Sequence, residues 1–310
     1  MKAKNIFLVL IALLAISVAA CKKDTIADPT PVDPTAPTAT VNYVSKSYYF
    51  GNIQNSNILD TGEWSHYFYD NLKRLTTIID TSLEIGVPAS TSFDKKSYFY
   101  NGNDSFASRF NSISFATRYS RRDTVNSFYF YNALGQLVID STIKSYRANL
   151  TPTNTLYNKT KVIRSYSYLG NKIFSLTLTS SLPSTNTTNL PLVSRDTFTL
   201  DSRGNVMEHR TRSYFTNDIY VIKTYTYDNN RSPFSSFNGG GFTTVTGKNN
   251  PLKVKEVESV IGSSNPPGIF ETDYTGGYTY NSNGYPVISN FTDVPNQGYQ
   301  YRNTYIYTTL

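Results

Sequence analysis

The chain has 310 residues and a formal net charge of +7, with 26 tyrosines and 18 phenylalanines but only 1 cysteine and 2 histidines. A single cysteine excludes a disulfide framework, so stability must come from a packed core. Beyond Lys22-Lys23 the adjacent basic residues come only in scattered pairs such as Lys73-Arg74, Lys95-Lys96 and Arg121-Arg122, which excludes the basic stripe of a nucleic-acid binder.

The first predicted element is a secretory signal. Lys2 and Lys4 precede an apolar run from Ile6 to Ala20, too short and too weakly flanked for a membrane span. The order Val18-Ala19-Ala20-Cys21 resembles the lipobox of bacterial lipoproteins, and Lys22-Lys23-Asp24 is similar to the start of mature lipoproteins of Bacteroidota. The resemblance implies that residues 1–20 are removed and that Cys21 carries the lipid. It also implies that the chain is held at the outer membrane of the cell envelope. Whether it faces the medium or the periplasm stays open, since Asp24 stands without the acidic run of some surface-export signals.

From Lys22 to Thr40 the chain reads KKDTIADPTPVDPTAPTAT. Four prolines and almost nothing apolar to bury make residues 21–40 a tether. At roughly 3.1 Å per residue it reaches on the order of 60 Å. Asp24-Thr25-Ile26 and Asp123-Thr124-Val125 resemble O-glycosylation acceptors of Bacteroidota.

Residues 41–310 carry a repeat. Tyr67-Phe68-Tyr69-Asp70, Tyr98-Phe99-Tyr100-Asn101, Tyr129-Phe130-Tyr131-Asn132 and Tyr166-Ser167-Tyr168 follow one outline. So do Phe198-Thr199-Leu200-Asp201, Tyr225-Thr226-Tyr227-Asp228 and Tyr278-Thr279-Tyr280-Asn281. The period is about thirty residues, with a degenerate unit expected near Val254 to Ile261, and such a period marks an array of supersecondary units. Aromatics alternating with Ser or Thr predict strands with one aromatic face.

Each strand ends in a predicted hairpin corner: Asn132 with Gly135, Asp201 with Gly204, Asn281 with Gly284. Asp or Asn opens a type I turn, and glycine takes the left-handed position that closes it. Asp70 and Asp228 are followed by Lys73 and Arg231 where glycine belongs. A left-handed lysine or arginine costs roughly 1 kcal/mol, which predicts another turn at those two corners. Leu75, Leu137, Val206 and Val287 should then point back into the core. The expected fold is all-β, an elongated, twisted antiparallel β-meander of about eight hairpin repeats.

The pattern Tyr-x-Tyr-Asp/Asn-x-x-Gly resembles the YD repeat of RHS-type proteins. The run Tyr225 to Phe234, with Gly284-Tyr285-Pro286, is similar to repeat-bearing Bacteroidota lipoproteins of unknown function. The resemblance covers residues 41–310 and implies a curved sheet of consecutive hairpins. The array is too short for the cargo shells of RHS proteins proper.

Catalytic motifs are scarce. His66 and His209 sit in no metal-binding spacing, and no nucleophile elbow, Walker sequence or dinucleotide fingerprint occurs. Asn238 to Phe242 is glycine-rich but lacks the lysine of a phosphate cradle. Asn281-Ser282-Asn283-Gly284 lacks the distal glutamate of a calcium loop. No cofactor or metal is expected. A glycosidase needs only two carboxylates, for which Glu63, Glu84, Glu208, Glu256, Glu258 and Glu271 are candidates, with nothing to select a pair.

Aromatic side chains could stack on sugar rings, but cross-strand pairing is their ordinary role in a sheet. Trp64 is the candidate ligand contact. A membrane-spanning barrel needs an uninterrupted apolar face, which Val221 to Tyr227 does not offer. The sequence therefore points to a non-enzymatic, lipid-anchored envelope module, with a glycan or an envelope protein as partner. The alternatives are a polysaccharide hydrolase and a structural lipoprotein that self-associates through the edge strand Thr304 to Thr309.

Overall fold

The computed structural model describes residues 41–52, 59–83, 91–116, 121–151, 154–182, 191–214, 219–235, 248–261, 266–273, 277–293 and 299–310. The segments expected as signal peptide and tether, with Cys21, and Glu84 and the glycine-rich 238–242 lie outside them.

The described residues form strands and no helix. In chain order these are β1 (Tyr43–Asn52), β2 (Leu59–Tyr69), β3 (Leu75–Leu83), β4 (Thr91–Tyr100), β5 (Ala107–Ala116) and β6 (Arg121–Tyr131). Next come β7 (Leu137–Thr151), β8 (Asn154–Leu169), β9 (Lys172–Leu182), β10 (Leu192–Leu200), β11 (Val206–Ser213) and β12 (Ile219–Arg231). The last are β13 (Asn249–Val260), β14 (Gly268–Asp273), β15 (Tyr278–Tyr280), β16 (Pro286–Asp293) and β17 (Tyr299–Thr308). All belong to one 17-stranded sheet whose pairings are antiparallel, most of them between successive strands of the meander. The expected all-β meander of hairpins is therefore present.

One relationship was not legible in the repeat. β1 pairs with β2 from Lys46↔His66 to Asn52↔Leu59, and with β17 from Tyr43↔Thr308 to Gly51↔Tyr301. β9 pairs with β10, so the hydrogen-bonded circuit returns to its start. β14 and β15 share one place in it, because both pair with β16. The strand Thr304 to Thr309, expected to offer an edge, is instead covered by β1 over Tyr43–Gly51, which removes edge pairing as a route to self-association.

Closure makes the two faces of each strand unequal. Phe234, in the connection after β12, places its ring 5.6 Å from that of Tyr67 in β2 and 6.3 Å from that of Tyr305 in β17. A side chain reaching from β12 to both must cross the interior, so the face bearing Tyr67 and Tyr305 is concave. The first and third residues of each Tyr-x-Tyr lie on it, while the middle residues Phe68, Phe99 and Phe130 point outward, 46%, 39% and 53% exposed.

The corners gather at the end of the ring that also holds the start of β1 and the end of β17. At Asn132, the side-chain Oδ1 accepts from Leu134 N (3.0 Å) and Gln136 N (2.9 Å), and Gly135 stands at φ 73. Asp201 does the same for Arg203 N and Asn205 N with Gly204 at φ 87. Asn281 repeats it for Asn283 N and Tyr285 N with Gly284 at φ 75.

Asp70 departs from expectation by keeping this corner: Lys73 itself takes the left-handed conformation, φ 62. Arg74 explains how the strain is tolerated, since its guanidinium clamps the Asp70 carboxylate at 2.7 Å while reaching the carbonyls of Gly102 and Asp104. Asp228 departs in the other direction. It closes no hairpin; β12 runs through it to Arg231, which pairs with Asn249.

Above the corners lies the core. Tyr129, Leu137, Tyr166, Ile173, Phe198 and Val206 form its buried cluster, and Leu75 is also buried. Three of the four predicted inward residues are thus in place. At the fourth corner the buried residues are Tyr285 and Pro286, and Val287 is only half-buried, because Pro286, opposite Tyr280, holds the place that Leu75, Leu137 and Val206 hold opposite Tyr69, Tyr131 and Leu200.

Candidate functional site

The concave face is built in layers. Nearest the corners, most descending strands carry a tyrosine whose hydroxyl donates to the carbonyl of a residue at or near the start of an ascending strand. Tyr69 reaches Val44, Tyr100 reaches Leu75, Tyr131 reaches Ala107 and Tyr168 reaches Leu137, all within 2.8–2.9 Å. Tyr227 reaches Val206, Tyr278 reaches Pro251 and Tyr307 reaches Pro286, at 2.7–2.8 Å. Leu200 stands in the tyrosine position of β10, and there Asn171 bonds the Leu200 backbone instead. This belt uses the hydroxyls for construction. Burial is the main cause that raises the phenol pKa around it, to about 12 at Tyr100 and higher still at Tyr69 and Tyr131.

The next layer is polar. Asp80 and Asp94 face each other across β3 and β4. Lys96 Nζ lies 2.6 Å from Asp80 and 3.7 Å from Asp94, and Ser112 donates to Asp94 at 2.7 Å. Burial opposes the charge on Lys96, but the bond to Asp80 and the attraction of both carboxylates outweigh it, so its pKa is raised. Further round, Arg164 pairs with the buried Asp140 at 3.1 Å, and Thr142 donates to the same carboxylate. Lys223 pairs with Glu256 at 2.6 Å.

His209 stacks on Phe198 with ring centroids 4.2 Å apart, and its Nε2 lies 3.0 Å from Asp196. Thr211, Ser175 and Ser194 donate to the same carboxylate. Burial would raise the Asp196 pKa; the bonds from His209 and Thr211 overcome it and hold it low. A catalytic triad needs the acid on one imidazole nitrogen and the nucleophile on the other. Here Asp196 and Thr211 meet the same nitrogen, so the cluster fastens strands.

A second network sits beside the corners. Asp228 accepts from Asn250 N at 3.0 Å and from the Tyr280 hydroxyl, and Asn205 and Asn249 bond each other reciprocally. Asn205 and Asn250 are fully buried, and their amides are satisfied by these partners.

A cavity of about 440 Å³ opens on the concave face among the described residues. Its polar lining is Glu63, Asp80, Asp94 and Lys96 with serines from β2 to β5, and Tyr67 contributes an aromatic wall. The Tyr67 hydroxyl meets Ser47 Oγ at 3.0 Å. Of the described glutamates among those considered from sequence, Glu63 alone lines this cavity. Glu208 pairs with Arg210, and Glu271 with Lys253.

Sequence reasoning missed Asp80 and Asp94 because it compared glutamates only. The available signal was their phase, since each lies an even number of residues from an inward aromatic or aliphatic side chain on its own strand. Trp64 stands opposite Thr81 and Tyr48, which places it on the outward face, away from the cavity. Among the described residues, no group of three or more metal-ligating side chains comes together.

No family model matches the chain, and no curated protein matches it. Among solved structures, a porin-like protein from Bacteroides vulgatus is similar at 12% identity and a TM-score of 0.48, covering 87% of this chain and 100% of its own. A second, from Bacteroides uniformis, is similar at 13% identity and a TM-score of 0.42, covering 86% and 98% respectively.

Proposed function

We propose that the chain is a non-catalytic, lipid-anchored envelope module that receives a polyhydroxylated ligand, a glycan, on the concave face of its ring. The cavity of about 440 Å³ carries this reading: serine hydroxyls, carboxylates and one ammonium converge on it beside the Tyr67 ring. Alternating donors and acceptors with an aromatic wall is the chemistry that recognises sugar hydroxyls and their apolar ring faces. The lipobox resemblance at Cys21 supplies the anchor, and the YD-like corners supply the scaffold.

Titration of glycan fragments into the chain by calorimetry tests the reading. Saturable binding that is lost in Ser92→Phe, which fills the cavity, supports it. Absence of binding across neutral, acidic and amino sugars at millimolar concentration would sink it.

The facing carboxylates Asp80 and Asp94 favour one further reading, glycan hydrolysis. A general acid and its partner base need environments that differ, whereas both groups here share one ammonium. Turnover of a polysaccharide panel, abolished in Asp80→Asn and in Asp94→Asn, would establish the enzyme in place of the binding module.

A further inference from the structure

The outward face of the ring divides its charge unevenly. In β2 to β9 every carboxylate among the described side chains, Glu63, Asp80, Asp94, Asp123 and Asp140, stands on the concave face by strand register. The other acids among the described side chains of this half, Asp70 and Asp104, belong to the corners. Its outward face carries bases and large apolar groups instead. Phe93 opposes Phe115, which opposes Arg122, which opposes Arg147. Nearer the corners, past rows that hold Lys95 and Ser97, Phe99 opposes Arg109, which opposes Phe128, and Phe130 opposes Ile139.

These side chains are open to solvent: Phe115 is 45% exposed, Phe128 43% and Phe130 53%, and Lys95, Arg109, Arg122 and Arg147 are exposed with them. The Arg109 guanidinium lies over the Phe99 ring, 3.9 Å from its centroid. Across the ring the outward face differs, since β11 and β14 place Glu208 and Glu271 beside Arg210 and Lys253.

We propose that the outward face of β2 to β9 docks on a membrane surface that bears anionic phosphate headgroups. Exposed phenylalanines in two clusters, Phe93 with Phe115 far from the corners and Phe99, Phe128 and Phe130 near them, mark an interaction surface. Interleaved arginines and lysines, with no acid among the described side chains of this face, select a partner that is negative at its surface and apolar just beneath it. The same bases rule out a spanning role for this face, because Lys95, Arg109 and Arg122 would lie within the hydrocarbon. Headgroup depth suits both sets of side chains: the rings enter the acyl boundary and the cations meet phosphate. This surface is separate from the concave cavity and stands whether or not a glycan binds there.

Trp64 provides the test, because it is the only tryptophan and lies on this outward face in β2. The full chain carrying Cys21→Ser is mixed with vesicles of phosphatidylglycerol and phosphatidylethanolamine, or of phosphatidylcholine alone, each doped with brominated lipid. The expected result is a blue shift and quenching of Trp64 on the anionic vesicles only. Each base near an anionic surface contributes roughly fivefold in affinity, so Arg109→Glu with Arg122→Glu should weaken binding by more than about twentyfold. Arg195→Glu with Arg212→Glu, beyond β9, should leave the response near wild type, which separates docking from misfolding.

Sedimentation with vesicles while Trp64 stays unquenched would show that the N-terminal segment alone holds the chain, and overturns the proposal. Equal quenching on phosphatidylcholine overturns it as well. So does binding of a sulfated polysaccharide with the same arginine dependence and no quenching by lipid, which would reassign the face to an anionic polymer.

Discussion

Tyr100, at the end of β4, donates its hydroxyl to the carbonyl of Leu75, the first residue of β3, at 2.8 Å. The same bond recurs at Tyr69, Tyr131, Tyr168, Tyr227 and Tyr307. It gives the last tyrosine of the repeat its physical reason. A bulge before that residue, as between Phe99 and Tyr100, breaks the regular ladder, and the phenol satisfies a strand-end carbonyl. Replacing Tyr100 by Phe keeps the ring and removes the bond, so the cost should be about 1 kcal/mol, the usual worth of such a bond. Urea unfolding measures it, and Phe99→Tyr, on the outward face, is the control expected to change little.

The belt also predicts alkaline behaviour. Burial raises the Tyr100 phenol to about 12, against about 10 in the unfolded chain. The native state therefore holds its proton more tightly. The stability linked to this group is complete below pH 10 and is lost as pH rises from 10 to 12. Ultraviolet titration of phenolate should show a delayed class of tyrosines that ionises together with unfolding. Titration of every tyrosine near pH 10 with the fold intact would contradict the burial of the belt.

Lys73 should be the weakest of the corners. It stands at φ 62 where Gly135, Gly204 and Gly284 occupy the equivalent places, and a side chain there costs about 1 kcal/mol. Lys73→Gly should raise the thermal midpoint by a few degrees, partly offset by the greater freedom of glycine when unfolded. A fall in the midpoint would mean that Lys73 makes a compensating contact.

Much of this architecture was legible in the chain. Period, corner residues and strand phase all follow from Tyr-x-Tyr-Asp/Asn-x-x-Gly, because alternation and left-handed glycine are local properties. What escaped was non-local. Nothing in Tyr43–Asn52 or Tyr299–Thr308 alone says that the two pair, so β17 read as an edge. Asp228 read as a corner because its local sequence fits one, yet Asn250 and Tyr280 draw its carboxylate into a network assembled from distant strands. The pairing of Asp80 with Asp94 needs the register of β3 on β4, which is not a local property of either strand.

Lys96 holds that pair. Removing its ammonium in Lys96→Met leaves two facing carboxylates without their shared partner. Its side chain is about a third exposed, so solvent screens part of the loss and the expected destabilisation is about 1–2 kcal/mol. Adding Asp94→Asn should recover part of it, because the like-charge contact is then gone. A double-mutant cycle by urea unfolding reads the coupling, and additivity would show that the three side chains do not act together.

Closure of the ring predicts a covalent outcome. Tyr48 in β1 and Thr304 in β17 are direct cross-strand partners, and antiparallel partners hold their Cα atoms about 4.5–5.5 Å apart, within the span of a disulfide. In a Cys21→Ser background, Tyr48→Cys with Thr304→Cys should form a bridge within one chain on mild oxidation. The loop it closes joins nearly the two ends of the described sheet, so the bridge should stabilise by several kcal/mol. The oxidised protein should migrate as a faster monomer without reductant and unfold at higher urea than its reduced form. Oxidation that yields dimers instead would mean that β1 and β17 are free edges that pair between molecules, and the self-associating reading would return with them.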